Sequence, residues 1–310
     1  MKYLPLILSI ISVNAFAISL NDCTLSESQE EDSIAEHLWG GPLDNSELFE
    51  RRAYVFSYNK EHLVPRWAAW HATKPYRDTP KRKSRWSTFR RDPELTTVST
   101  KDYVGWFHSD DNFARGHIVP YFISGGDRDH DGLDAEIEET LAVEDIDDAC
   151  TVLEINSMAN IAPQYHSRFN GQPGLWWLLE SDVRNLIDNG RDLQLLAGTV
   201  FIDDVEVEKI GNREKSKSKW KIGVPHGFFK VVVDPDRNEA VAFLFDHSGD
   251  VEGGCSIDDP ANKWPSECIV SIDVVEAATG LSFFSEIEEG KKLLRESSTK
   301  GTWLEWLGIE

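Results

Sequence analysis

The signatures that most often announce an enzyme are missing from this chain. It has no Walker-type phosphate loop, no dinucleotide-binding glycine pattern, no HExxH zinc helix and no GxSxG nucleophile turn, which argues against phosphate-loop hydrolases, nicotinamide enzymes, zincins and serine hydrolases. No CxxC pair suggests a zinc site or a dithiol redox centre. Beyond the N-terminal run Leu4 to Val13, no stretch approaches the roughly 18 apolar residues that a membrane span needs. Internal repeats and low-complexity linkers are also lacking, so one domain with decorations is expected in 310 residues. Positive charge is scarce: 32 Lys and Arg face 54 Asp and Glu, a formal net charge of −22. A field of that sign repels polyanions at long range and argues against nucleic acid as a partner unless the charges are segregated.

They are segregated. From Lys74 to Arg91 the chain carries Lys74, Arg77, Lys81, Arg82, Lys83, Arg85, Arg90 and Arg91, with Asp78 the one acid between them. A second basic run holds Lys209, Arg213, Lys215, Lys217, Lys219 and Lys221, while acids concentrate between Glu27 and Glu36 and between Asp127 and Asp148. One such run alone reads as a solvated loop. Two on an acidic chain mark a substrate-facing side, with Lys81, Arg82, Lys83 and Arg85 as candidate substrate contacts.

The N-terminus reads as an export signal over 1–17: Lys2, the apolar run, then Ala15-Phe16-Ala17 before a mature start near Ile18. A secreted protein, extracellular or periplasmic and not held in a membrane, is therefore expected. Four cysteines then favour disulfides, with three pairings open. Cys255 and Cys268 bracket a short Pro/Asp/Asn-rich stretch that suits a local closure; Cys23 with Cys150 would then tie down an acidic N-terminal extension at 18–45. The main domain is expected over 46–295 with a loop insertion near 125–148, followed by a tail at 296–310.

Strand-like runs occur at Tyr54 to Tyr58, Trp67 to Trp70, Tyr103 to Phe107, Thr151 to Ile155, Leu193 to Ile202, Phe228 to Val233 and Ala240 to Phe245. Several are continuously apolar, as strands covered on both faces are. Apolar residues at Leu175, Leu179, Val183 and Leu186/Ile187 predict a helix after Pro173-Gly174. Shorter helices are predicted over Ile272 to Thr279, ended by Gly280, and from Ser285 to Leu294. Strands interrupted by helices without regular alternation indicate an α+β fold.

Two clusters could carry chemistry. Phe113-Ala114-Arg115-Gly116-His117 sets a histidine beside an arginine, an arrangement able to activate water near an anion, although a lone histidine is more often structural. Asn160-Ile161-Ala162-Pro163-Gln164 is followed by Asn170, then by Trp176, Leu179-Glu180 and Arg184 along the predicted helix, where the bland reading is an i,i+4 surface ion pair. Together, in this order, the segments resemble the DNA/RNA non-specific endonuclease family, whose hallmark is DRGH, an Asn-Ile/Met-x-Pro-Gln segment, then Asn, Trp and Leu-Glu. Weaker similarities extend from about residue 50 to 288. Two departures stand out: Ala114 replaces the motif Asp, so the motif here is ARGH, and the interval from Asn170 to Glu180 is about two residues longer.

The resemblance implies a ββα-metal, or His-Me finger, fold with a mixed central sheet flanked by helices. It also implies roles: His117 as general base, Asn170 as the protein ligand of one Mg²⁺ (or Mn²⁺), and Glu180 accepting hydrogen bonds from the ion's waters. Arg115 and Arg184 would offset transition-state charge, and Asn160 would support the His117 loop, with a plain turn role as its alternative. DNA and RNA are the implied substrates, cut to 5′-phosphorylated ends.

Between the two clusters Asp127, Asp129, Asp131, Gly132 and Glu138 satisfy the D-x-D-x-D-G-x5-E loop pattern, so a structural Ca²⁺ is expected against the alternative of a solvated acidic loop. Asp134 at the usually apolar eighth position argues against the paired packing of calcium sensors. Two other functions compete: a catalytically impaired nucleic-acid or calcium-binding protein on the same scaffold, and a phosphodiesterase of small nucleotides, which would leave the basic runs without a purpose.

Overall fold

The computed structural model describes residues 18–42, 44–108, 112–137, 142–259, 262–288 and 290–309. The expected export signal and Glu138 lie outside the described residues. The centre is a sheet in the order β1 (Leu48–Arg51), β2 (Tyr54–Asn59), β3 (Val64–Ala72), β8 (Leu193–Val200), β11 (Gly227–Asp234), β12 (Glu239–Asp246), β13 (Cys255–Ser256), with β14 (Ile269–Val270) also on β12. Its pairs are antiparallel apart from β12 with β13, so the expected mixed character is confined to one edge. Off the sheet, β4 (Phe113–His117) pairs with β7 (Ile161–Tyr165). Two short pairs stand apart: β5 (Glu136–Ile137) with β6 (Ala142–Val143), and β9 (Lys209–Ile210) with β10 (Ile222–Gly223).

The continuously apolar strands have a direct cause in burial on both faces. Along β11, Phe228 and Val232 enter one core with Val152, Leu153, Trp176, Leu179 and Val183. The alternate residues Phe229, Val231 and Val233 enter a second core with Ile272, Val275 and Phe283. The first face carries α2 (Ile146–Ile155) and α3 (Leu175–Asp188); the second carries α4 (Ile272–Thr279). Each large apolar side chain so buried contributes roughly 1.5–3 kcal/mol. The predicted helix over 175–187 and the one ended by Gly280 are both formed, Gly280 capping α4 at φ 68°.

Three predicted elements differ. Thr151 to Ile155 is the end of α2, not a strand: Asp145 caps the helix by accepting from Asp148 N–H, and burial on all sides of this segment hides the helical period. Tyr103 to Phe107 is a turn, not a strand, because Gly105 sits at φ 85°. Of Ser285 to Leu294 only the end is helical, in α5 (Lys291–Glu296), which begins after Gly290 at φ 80°.

The ends of the described segment 18–309 are packed. Cys23 pairs with Cys150 and Cys255 with Cys268, so the segment before α1 (Glu27–His37) is fastened to α2. Ser33 of α1 donates to the Arg51 carbonyl at 2.7 Å. Residues 296–310, expected as a tail, include α6 (Lys300–Leu307), whose Trp303 is fully buried against Phe243. Among the described residues no helix is long and apolar enough to cross a membrane.

Candidate active site

Alternation along β4 sends Arg115 and His117 to one side and Ala114 and Gly116 to the other. On the first side the groups gather around Phe89: the His117 ring lies 5.2 Å from it, with the Arg115 and Arg82 guanidinium groups over it at 4.6 and 5.6 Å. His117 is buried, and its Nε2 lies 3.1 Å from Asn156 Oδ1. Asn156 Nδ2 donates to the Trp86 carbonyl at 2.9 Å, so its oxygen faces the imidazole. Nε2 therefore carries the proton, and Nδ1 keeps a lone pair that no described residue engages. Burial, reinforced by the charges of Arg82 and Arg115, holds the imidazole down to about 3, against the opposing hydrogen bond of Asn156. It is neutral at physiological pH.

Asn160 braces the backbone immediately after His117. Its Oδ1 accepts from Val119 N–H, and its Nδ2 donates to the carbonyls of Val119 and Ile155, all at 2.9 Å. On the other side of β4, the Gln164 side chain crosses directly over Gly116, where a Cβ would stand 2.0 Å from Gln164 Oε1. That oxygen accepts from Asn170 Nδ2 at 2.7 Å. The Asn170 nitrogen is thereby engaged, and its amide oxygen is the atom left to meet a cation.

On α3, one turn apart, Glu180 and Arg184 are only 16% and 19% exposed, with Oε2 and Nη1 4.0 Å apart. This is not a solvated surface pair. Burial raises the Glu180 carboxyl, opposed by the charges of Lys230, Arg184 and, more weakly, Arg82. Lys230 reaches from β11 beneath α3. Its Nζ is fully buried with no hydrogen-bond partner among the described residues, 3.9 Å from the Trp176 ring centroid, and burial brings the amine down to about 8.

Of the candidate substrate contacts, Arg82 lies over the Phe89 and Tyr121 rings at 5.6 and 5.4 Å, and its charge acts on both His117 and Glu180. Lys81 and Lys83 are exposed beside it, and Arg85 lies over the Trp86 ring at 5.5 Å. The structure thus brings together His117, Arg115, Arg82 and Asn160 at one end of β4, and sets Asn170 on the Gly116–Gln164 side. Asn156, Gln164 and Lys230 were missed from the sequence. Gln164 lay inside the recognised segment, and Lys230 was detectable as the one cation at an inward position of an apolar strand.

Carboxylate oxygens of Asp127, Asp129 and Asp131 lie within 4.8 Å of one another. Arg128 between them is buried, stacked over Tyr76 at 3.8 Å and bonded to Glu36 of α1 at 2.6 Å.

Residues 40–290 match the family model of the DNA/RNA non-specific endonucleases. The chain belongs to that family. The endonuclease is 25% identical over 265 residues to a nuclease of Syncephalastrum racemosum, covering 81% of this chain and 72% of that protein. It is also 25% identical to nuclease C1 of Cunninghamella echinulata var. echinulata (84% and 91%), and 24% identical to the mitochondrial nuclease of Saccharomyces cerevisiae (82% and 70%). Among solved structures it resembles a chain of the EndoG/EndoGI complex with a TM-score of 0.58 at 21% identity, over 86% of this chain and 95% of that one. The α+β, ββα-metal fold is thus shared. The endonuclease is a nucleic-acid-hydrolysing enzyme.

Proposed function

We propose that the endonuclease is exported and hydrolyses DNA and RNA without sequence preference, using one divalent ion and His117 as general base, and leaving 5′-phosphorylated ends. The observation that carries this reading is the His117 imidazole: neutral, held by Asn156 through Nε2–H, with Nδ1 engaged by no described residue. Nδ1 accepts a proton from water as the water oxygen bonds to phosphorus and the bond from phosphorus to the 3′ oxygen breaks; such positioned proton transfer is worth roughly 10²–10⁴-fold. Arg115 and Arg184 balance the charge that accumulates on the phosphoryl oxygens.

The residues fit a hard cation. Asn170 offers a neutral amide oxygen fixed by Gln164, and the Glu180 carboxylate is suited to accept from coordinated waters, a donor set that suits Mg²⁺ (or Mn²⁺). When bound, such an ion supplies charge stabilisation to the leaving 3′ oxygen. Two disulfides suit an oxidising compartment and support export. The converging Asp127, Asp129 and Asp131 support a structural Ca²⁺. Loss of function through Ala114 is disfavoured, because the contacts that hold His117 come from Asn156 and Asn160.

Plasmid nicking tests the proposal. The wild-type protein should nick in Mg²⁺ and stop in EDTA; His117→Ala should lose at least ~10²-fold while remaining folded. Asn170→Ala should need markedly more Mg²⁺ for its half-maximal rate. Near-normal nicking by His117→Ala rejects the base, and an unaltered Mg²⁺ requirement in Asn170→Ala rejects the ligand.

A further inference from the structure

The basic run from Lys209 to Lys221 sits at the end of the β4–β7 pair opposite His117. β9 and β10 hold it as a lobe that is exposed through most of 212–221. The lobe is fastened to the turn at 103–108. Arg213 N–H donates to the Val104 carbonyl at 3.1 Å, and its guanidinium lies 3.9 Å from the Trp106 ring centroid. Trp106 Nε1 donates to the Gly211 carbonyl at 2.5 Å, and its ring lies 5.6 Å from Phe113 at the start of β4.

The next residue, Phe107, breaks the pattern. Its neighbour Trp106 is buried, yet Phe107 is 45% exposed. Its ring rests 4.6 Å from that of His166, which opens the turn leading to Asn170. The His166 ring lies flat against Gly171, where a Cβ would stand 2.4 Å from its Cε1. Phe107 is thus a half-exposed aromatic that leans at 48° on His166 and meets His108 edge-on, adjoining the Asn170 turn. The basic lobe is fastened to the same 103–108 turn through Arg213. The β4 strand that separates it from His117 spans about 13 Å, the rise of roughly four stacked nucleotides.

We propose that Phe107, braced by His166 and carried on the turn to which the Lys209–Lys221 lobe is fastened, is a stacking platform for an unpaired nucleobase of the substrate strand. The proposal rests on the nucleolytic reading and deepens it by naming a contact to the base as well as to phosphate. The lobe tracks the backbone, and the ring accepts any base, because every base has a π-face. An enzyme without sequence preference can use such a contact. The Arg82–Phe89–Arg115 group at the other end of β4 would hold the same strand near His117.

The test compares binding of the His117→Ala protein to a single-stranded oligonucleotide and to an abasic strand of equal length and charge. The base-bearing strand should bind more tightly. Phe107→Ala should remove that preference, a loss of about 5- to 100-fold, without changing the slope of log affinity against log salt. Phe107→Trp should keep it. Replacing Lys217, Lys219 and Lys221 by Gln should flatten the salt slope by about 2 and leave the base preference intact. A base preference that survives Phe107→Ala overturns the platform, and an unchanged slope in the triple variant overturns the lobe. Absence of binding to either strand, together with absence of nicking by the wild type, overturns the nucleolytic reading itself.

Discussion

At the scale of single residues, the site depends on buried polar groups that hold one another in a defined state. Lys230 is the extreme case, a lysine under α3 with no hydrogen-bond partner among the described residues. Its charge and that of Arg184 keep the Glu180 carboxyl from rising as far as burial alone would drive it. Lys230→Met should therefore raise the Glu180 pKa, and activity should fall on the acid side of the pH–rate profile. The limb should move upward, with the alkaline side much less affected. Thermal stability should also fall where Glu180 stays ionised, since removing one charge leaves its buried partner less compensated. Profiles of kcat/KM for the variant and wild type check this; coincident acid limbs would show that Lys230 does not act on Glu180. From sequence, His117, Asn170, Glu180 and Arg184 could be put forward as candidates because their segments, in order, resemble the motifs of the endonuclease family. Asn156 could not, because its role depends on one hydrogen bond across 39 residues.

At the scale of elements, the β4–β7 pair is what joins the two clusters found in the sequence. Its register sets Ala114 opposite Gln164 and Gly116 opposite Ala162, which lets the Gln164 side chain cross Gly116 and meet Asn170. The glycine of the ARGH motif thus has a steric reason as well as a backbone one. Gly116→Ala should displace Gln164, release the Asn170 amide and weaken divalent-metal affinity by roughly 10-fold or more. Mn²⁺ titration followed by electron paramagnetic resonance checks this directly, and unchanged binding would remove Gln164 from the site. Elements themselves were unevenly legible. β2, β3, β8, β11, β12, α3 and α4 follow from periodicity and apolar runs. α2 did not, because a short apolar run buried on every side carries no period that separates helix from strand. The turn at 103–108 failed for a different reason: its aromatic residues suggest a strand, and only Gly105 marks the break.

At the scale of the whole molecule, the N-terminal helix is held to the sheet by a charged cluster that the sequence showed only as a run of acids. His71 of β3 stands between Asp192, 2.5 Å from its Nε2, and Glu36 of α1, 3.3 Å from its Nδ1. Arg128 and Tyr76 also bond Glu36, and the neighbouring His37 accepts from the His71 backbone N–H. Burial alone would lower the His71 imidazole, but Asp192 and Glu36 together raise it to about 9. A group whose folded value lies above its ordinary 6.5 contributes stability that is complete below that value and is lost as pH rises towards 9. Other buried groups titrate across neighbouring ranges. Asp148 and Glu154 are raised to about 7, while His37, His117 and His247 are held near 3. The absolute curve of stability against pH therefore mixes opposing slopes, and the contribution of His71 has to be read as a difference. Wild type minus His71→Gln should show a gap in Tm that is largest near pH 6, shrinks between 6.5 and 9, and is nearly closed at pH 9.5. Amide exchange of α1 should follow the same course, because α1 carries Glu36. A gap independent of pH would mean that His71 packs as a neutral ring and that the cluster does not clamp α1 through charge.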